Sequence, residues 1–221
     1  MNTERNYREQ LLEKCGYNVS LAKECYEFVV GKEVETKRIA GEILSGAHDY
    51  DEDEINLYYL YSTGDYATSF YEGMEVVGIL LKKGKHKFAV SLHDATEEPV
   101  ELCSEDTESN KYYEREVDAI FDYDGKSNTA ALPLNEEIKL KDEEYIPSSG
   151  QLIIMCKVKD ELNRMLTKCG GDTLKDDCYW SSTEYSGSNA WYVNLSNGNV
   201  NNWCAKATLQ YRVRPVSAFG L

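Results

Sequence analysis

Thirty-three consecutive residues, Cys178 to Gln210 (CYWSSTEYSGSNAWYVNLSNGNVNNWCAKATLQ), contain only two charged side chains, Glu184 and Lys206. In a chain that is 29% charged, about nine or ten would fall there by chance. The same window holds all three tryptophans, Trp180, Trp191 and Trp203. Tyr, Trp, Ser, Gly and Asn build rigid aromatic and adaptable polar binding surfaces, so the composition points to a recognition face. Periodicity separates scaffold from face. Trp191, Val193 and Leu195 alternate with Tyr192, Asn194 and Ser196, which predicts a strand with one apolar and one polar side. Asn197-Gly198 suits a two-residue hairpin turn that would pair Leu195 with Val200. Asn201 to Gln210 has no period, and alternation resumes over Tyr211 to Val216. An ordinary half-buried sheet with a polar loop fits these features too.

Upstream the texture differs. Over residues 1 to about 46, Leu11, Leu12 and Cys15, then Leu21, Cys25, Phe28 and Val29, recur at spacings near three and four, which predicts helices punctuated by Gly16 and Gly31. The acidic run Asp49 to Glu54 reads as a linker or a helix start, since Ile55, Leu57, Leu60 and Tyr61 follow at helical spacing. From Met74 the pattern becomes a β-hairpin, Val76 to Leu81 and Phe88 to Leu92 around Lys82-Lys83-Gly84-Lys85. This places a boundary near residue 73. Asp94 to Lys111 reads as a polar acidic loop, and Asp124-Gly125 as a tight turn. Ser149 is a candidate N-cap for a helix carrying Leu152, Met155, Val158, Leu162 and Leu166, ended by Cys169-Gly170-Gly171.

With 24 basic and 39 acidic residues the chain carries a formal charge of −15, and it lacks the clustered basic face that nucleic acid requires. An anionic membrane surface is disfavoured by the same sign, and no apolar run approaches the roughly 20 residues needed for membrane insertion. The first thirty residues lack the features of a signal peptide, which implies synthesis in the cytoplasm. Seven cysteines without a CxxC pair, and His48, His86 and His93 far apart, read as free thiols with no zinc site. Asp122, Asp124 and Asn128 could offer oxygens to calcium, as could the acidic run at 49–54, but neither matches a complete calcium loop.

Four blocks are recognisable in order: Tyr179-Trp180-Ser181-Ser182-Thr183-Glu184-Tyr185, then Asn189-Ala190-Trp191-Tyr192-Val193-Asn194, Asn197-Gly198-Asn199-Val200, and Arg212-Val213-Arg214-Pro215-Val216-Ser217-Ala218-Phe219. Together they resemble the variable proteins of diversity-generating retroelements, which are ligand-binding proteins. The resemblance is specific over 178–219, weaker over about 120–177, and does not reach residues 1–73. In that family an error-prone reverse transcriptase changes template adenines, so asparagine codons become many residue types on an unchanged backbone. The resemblance implies an α+β architecture, the C-type lectin fold in the branch of formylglycine-generating enzymes and the phage major tropism determinant. Residues 74–221 would form the C-type lectin-like ligand-binding domain, with a variable region at about 179–219, behind an N-terminal mainly helical segment, 1–73.

Carried over position by position, the resemblance makes Tyr185, Ser186, Gly187, Ser188, Tyr192, Trp203, Cys204, Ala205, Ala207, Thr208, Leu209 and Gln210 displayed, ligand-binding positions. Trp180, Trp191, Val193, Leu195, Val200, Val213 and Pro215 become scaffold. Trp203 and Gln210 cannot arise from a pyrimidine-ending asparagine codon through its first two bases, so they require Lys or Arg template codons or are fixed. The implied function is non-catalytic recognition of a protein or glycan ligand, with no cofactor, on a phage or virion component. An enzyme of the formylglycine-generating kind would need copper-binding cysteines, which have no match among Cys156, Cys169, Cys178 and Cys204. A calcium-dependent sugar lectin would need clustered carboxylates, and the window offers Glu184 alone. Residues 1–73 would serve a homo-oligomer or attachment to a larger assembly, or would pack on the domain and complete it.

Overall fold

A computed structural model describes residues 54–107 and 111–218. In chain order its elements are β1 (Ile55–Tyr61), β2 (Tyr66–Ala67), β3 (Val76–Lys83), β4 (His86–Ser91), α1 (Glu116–Ala119), α2 (Gly125–Ala130), β5 (Glu144–Tyr145), α3 (Ser149–Lys157), α4 (Lys159–Lys168), β6 (Cys178–Glu184), β7 (Asn189–Asn194), β8 (Val200–Ala205) and β9 (Val216–Ala218). The strands form an antiparallel sheet in the order β2-β1-β3-β4-β9-β5 and a second in the order β6-β7-β8. The class is therefore α+β, as expected. No helix among the described residues is long and apolar enough to cross a membrane.

The first strand corrects two expectations. Ile55 to Tyr61 is a strand, not a helix, paired with β3 from Ile55↔Lys83 to Tyr61↔Val76. The sheet thus extends across the boundary placed at residue 73, and the domain includes residues from at least 55. The reason lies in the burial: Tyr59 and Tyr61 face the main core while Leu60 is buried on the opposite side. A strand that is apolar on both faces has no two-residue alternation to read, and its spacing imitates a helix. Residues 1–53 of the 1–73 segment, with the acidic run as far as Asp53, lie outside the described residues.

The hairpin expected from Val76 to Leu92 is present, with Lys83 opposite His86 and Gly84 at φ 50° in the turn. The helix expected from Ser149 is two helices, α3 and α4, meeting at Val158, where the backbone leaves helical geometry at φ −114° and ψ 17°. Its N-cap is Ser148, whose amide donates to Gln151 Oε1 at 2.9 Å, while Ser149 is the first helical residue. Leu152, Met155, Leu162 and Leu166 are buried as their spacing predicts, and Gly170 ends α4 at φ 79°.

Two cores sandwich the small sheet. Tyr179, Val193 and Leu195 enter the main core, shared with α3, α4 and the inner face of the large sheet. Trp180, Ala190 and Cys204, on the reverse side, pack with Val100, Leu102, Ile138, Ile146 and Val213. The segment Tyr211 to Arg214 runs beside β6, bridging Tyr179↔Arg212 in parallel. Buried Arg214 fastens this segment: it donates to Asp94 Oδ1 at 2.6 Å and to the carbonyls of Ser91, Leu92 and Asp172 at 3.0 Å each. The hairpin loop is longer than expected. Val193, not Leu195, opposes Val200, and Leu195 instead donates to the Asp177 carbonyl. Asn194 Oδ1 accepts from the Ser196 amide at 2.8 Å and hydroxyl at 2.6 Å, so a side-chain turn takes over before the Asn-Gly pair.

A candidate binding face on the small sheet

Two irregularities in the small sheet shape the site. Strand β6 pairs Trp180↔Tyr192 and next Glu184↔Ala190, so it carries two residues more than its partner. The three residues between these pairs turn away from the ladder into a polar core: Ser181, Ser182 and Thr183 are fully buried. Thr183 Oγ1 accepts from the Ser149 amide at 2.9 Å and donates to Asp122 Oδ2 at 2.7 Å, and Ser181 and Ser149 hydroxyls meet at 2.9 Å. Strand β8 carries one extra residue, since Ala190↔Cys204 is followed by Tyr192↔Asn201. A bulge re-aims side chains. Here Trp203 stands 83% exposed beside Cys204, which is 4% exposed.

The two charges of the window meet. Glu184 and Lys206 form a buried ion pair, and the Thr107 hydroxyl bonds both partners. Around it three loops are tied by their main chains. The Thr107 amide donates to the Gly187 carbonyl at 2.8 Å, the Lys206 amide to Ser188 at 3.0 Å, the Cys103 amide to Lys206 at 3.0 Å, and the Tyr113 amide to Glu184 at 2.9 Å. The β6–β7 turn closes with the amides of Tyr185 and Ser186 donating to Asn189, and the turn after β8 with Thr208 and Leu209 donating to Ala205. Local backbone geometry therefore rests on peptide groups and on a buried charge pair.

The expected display residues divide. Trp203, Thr208, Leu209 and Gln210 are exposed, and Tyr185, Ser186, Ser188, Ala205 and Ala207 are half-buried on the same turns. Gln210 Nε2 donates to Glu101 at 2.9 Å, and Tyr185 meets Trp191 edge-on at 5.9 Å. Three assignments are corrected. Cys204 is in the second core, its Sγ 2.8 Å from the Tyr211 hydroxyl. Tyr192 packs on that core, 4.7 Å from the Tyr211 ring, because the face expected to be polar is covered by Tyr211. Gly187 has no room to vary: a Cβ there would lie 2.8 Å from the Thr107 carbonyl oxygen.

Sequence reasoning missed the loop that completes this face. Tyr112 is exposed, with its hydroxyl donating to the Thr107 carbonyl at 3.3 Å, and the Tyr113 carbonyl accepts from the Trp191 indole at 2.8 Å. The Lys111-Tyr112-Tyr113 triplet directly follows the acidic loop, and its paired aromatics were the available signal. The oxygens weighed for calcium are otherwise engaged: Asp122 is buried and accepts from Asn128 Nδ2 at 2.7 Å, and Asp124 pairs with Lys111 at 2.8 Å. No group of three His, Cys, Asp or Glu among the described residues is arranged to hold a metal. Burial pushes the Cys103 thiol up to about 12 and raises Tyr211 as well, so both are neutral beneath the face. The outward surface thus offers an indole, aliphatic groups and small hydroxyls, groups suited to contact and hydrogen bonding.

No protein-family model matches the chain, and no curated protein matches it. Among solved structures it is similar to a fimbrial protein from Bacteroides ovatus, with a TM-score of 0.53 and 15% identity over 72% of this chain and 48% of that one. This chain spans about half the length of that protein, and the likeness is one of fold.

Proposed function

We propose that this chain is a non-catalytic ligand-binding protein of the retroelement-diversified kind, with a variable recognition face on a C-type lectin scaffold. The observation that carries this reading is the division of labour around β8. Main-chain bonds and the Glu184–Lys206–Thr107 cluster hold the turns, while the side chains of Trp203, Thr208 and Leu209 project to solvent. A face built so tolerates replacement of its outward side chains, since none of them fills a core. Its aromatic and hydroxyl character suits a protein or glycan surface. The likeness to a fimbrial protein agrees with presentation at a surface.

The test is the DNA beside the gene. A near-duplicate of the codons for residues 180–219 is expected next to a reverse-transcriptase gene. Adenines should stand at the differing positions, and these should fall among residues 185, 186, 188, 203, 205 and 207–210. Codons for Glu184, Gly187, Cys204 and Lys206 should be identical in both copies. Differences concentrated at Trp180, Trp191, Glu184 or Lys206, or no second copy, would overturn the reading.

A further inference from the structure

The large sheet ends on both sides in a strand of two residues, β2 and β5. In the small sheet the β6 edge is covered by the segment Tyr211 to Arg214, where the Trp180 amide donates to the Arg212 carbonyl at 2.9 Å and the Arg212 amide to the Cys178 carbonyl at 3.1 Å. Short edge strands and covered edges are devices against stray pairing, as are charge and proline. Strand β8, the other edge of the small sheet, has none of these. Its six residues, Val200-Asn201-Asn202-Trp203-Cys204-Ala205, include no charge and no proline. Cys204 alone among them is buried, whereas every residue of β6 after Cys178 is buried. The bulge between Asn201 and Cys204 bends this edge without covering it. Among the described residues no strand pairs with its outer side, and the open length ends at Lys206, whose carbonyl accepts from the Cys103 amide at 3.0 Å.

We propose that β8 takes up an extended segment of a partner protein as an added strand. The proposal rests on the recognition face described above and narrows its ligand from a protein or glycan surface to a polypeptide main chain. An open edge presents amide donors and carbonyl acceptors at the repeat of a β-strand, about 3.4 Å per residue, and an extended main chain answers them at the same spacing. In strand addition the main-chain bonds supply affinity and the flanking side chains supply selectivity. That division suits a face whose outward side chains vary, since the share of affinity held by the β8 peptide groups is the same in every variant. Trp203, 83% exposed in this strand, would pack beside the added chain, where an aromatic or β-branched residue is the favourable cross-strand neighbour. A second copy of this chain fits less well. Pairing β8 with β8 would turn the variable positions of one molecule against those of the other, and each variant would have to complement itself.

Phage display of random linear peptides of about 12 residues on the full-length protein, run beside a glycan array, tests this. The enriched peptides are expected to lack proline in their binding stretch and to share an aromatic or β-branched position. When their amides are methylated one at a time, alternate positions should lose at least tenfold in affinity. Bound peptide should also slow exchange at least tenfold at β8 amides that exchange rapidly in the free chain. Enrichment of no linear peptide, binding to glycans alone, a flat methylation scan or unslowed β8 amides would each overturn the added strand. So would β8 amides that are all protected before peptide is added, since another part of the chain or a second copy would then occupy the edge. Exchanging Thr208 and Leu209 for alanine separates this proposal from the reading it rests on. Glycan binding altered by that exchange keeps the variable face and loses the strand, whereas peptide binding through β8 that is unchanged by it keeps the strand and loses the variable face.

Discussion

Glu184 and Lys206 are the only charges in a 33-residue window because each neutralises the other inside the protein. Removing one partner of such a pair leaves a buried charge uncompensated, which costs about 3–5 kcal/mol, whereas replacing both often costs little. Lys206→Met is expected to lose that amount in urea unfolding, and Glu184→Gln with Lys206→Met to regain most of it. A single variant within 1 kcal/mol of the parent, by the same order of argument, would remove the pair from its anchoring role. Gly187→Ala should cost about 1–3 kcal/mol, since its methyl group meets the Thr107 carbonyl oxygen at 2.8 Å and the loop must shift. Alkali offers a third check. Burial raises Cys103 from 9.0 to about 12 and Tyr179 from 10.0 to about 12. The unfolded chain thus releases these protons near pH 9 and 10 while the folded chain keeps them to about 12. With fewer protons bound in the unfolded state, stability is full below pH 9 and falls as the pH rises toward 12. Denaturant midpoints between pH 8 and 11 should show that decline, and Cys103→Ala should make it shallower.

Among the elements, β6 does the most with its irregularity. Its two extra residues let Thr183 accept from the first helical amide of α3 and donate to buried Asp122, which also accepts from Asn128. Thr183→Val keeps the shape and removes the hydroxyl, leaving the Ser149 amide without its partner and Asp122 Oδ2 with Asn128 alone, at a cost of about 1–3 kcal/mol. Thermal unfolding of that variant measures the value, and no change would mean that water replaces the hydroxyl. One face of β7 was legible from sequence, where Trp191 and Val193 are buried as their alternation predicts, although its other face also packs, through Ala190 and Tyr192, on the second core. Strand β1 was not, since apolar residues on both faces erase the period. Neither were the bulges. They depend on which residue of a distant strand lies opposite, and that register is set by packing, not by neighbours in sequence. The misplacement of Cys204 and Tyr192 follows from the same cause, for one extra residue in β8 and the covering Tyr211 decide their sides.

For the whole molecule, the small sheet is held between two cores, and its outward turns are the part whose side chains neither core uses. This separation of stability from surface is measurable. Replacing Trp203, Ala205, Ala207, Thr208, Leu209 and Gln210 together with serine changes six positions, each of which, being exposed or half-buried on a turn, is worth roughly 0.5 kcal/mol in either direction. Contributions of mixed sign sum to about 1 kcal/mol, and for a chain of this size that moves the melting temperature by roughly 2–4 °C. Trp191→Ala, by contrast, removes a buried indole and its bond to the Tyr113 carbonyl, costing about 3–5 kcal/mol, or roughly 6–20 °C. Calorimetry on the full chain compares the two directly. If the six-fold variant melts as early as Trp191→Ala, the turns around β8 carry the fold and cannot be a freely variable surface. If it melts within a few degrees of the parent yet loses the ligand, stability and recognition reside in different residues, as the bond pattern around Glu184 and Lys206 requires.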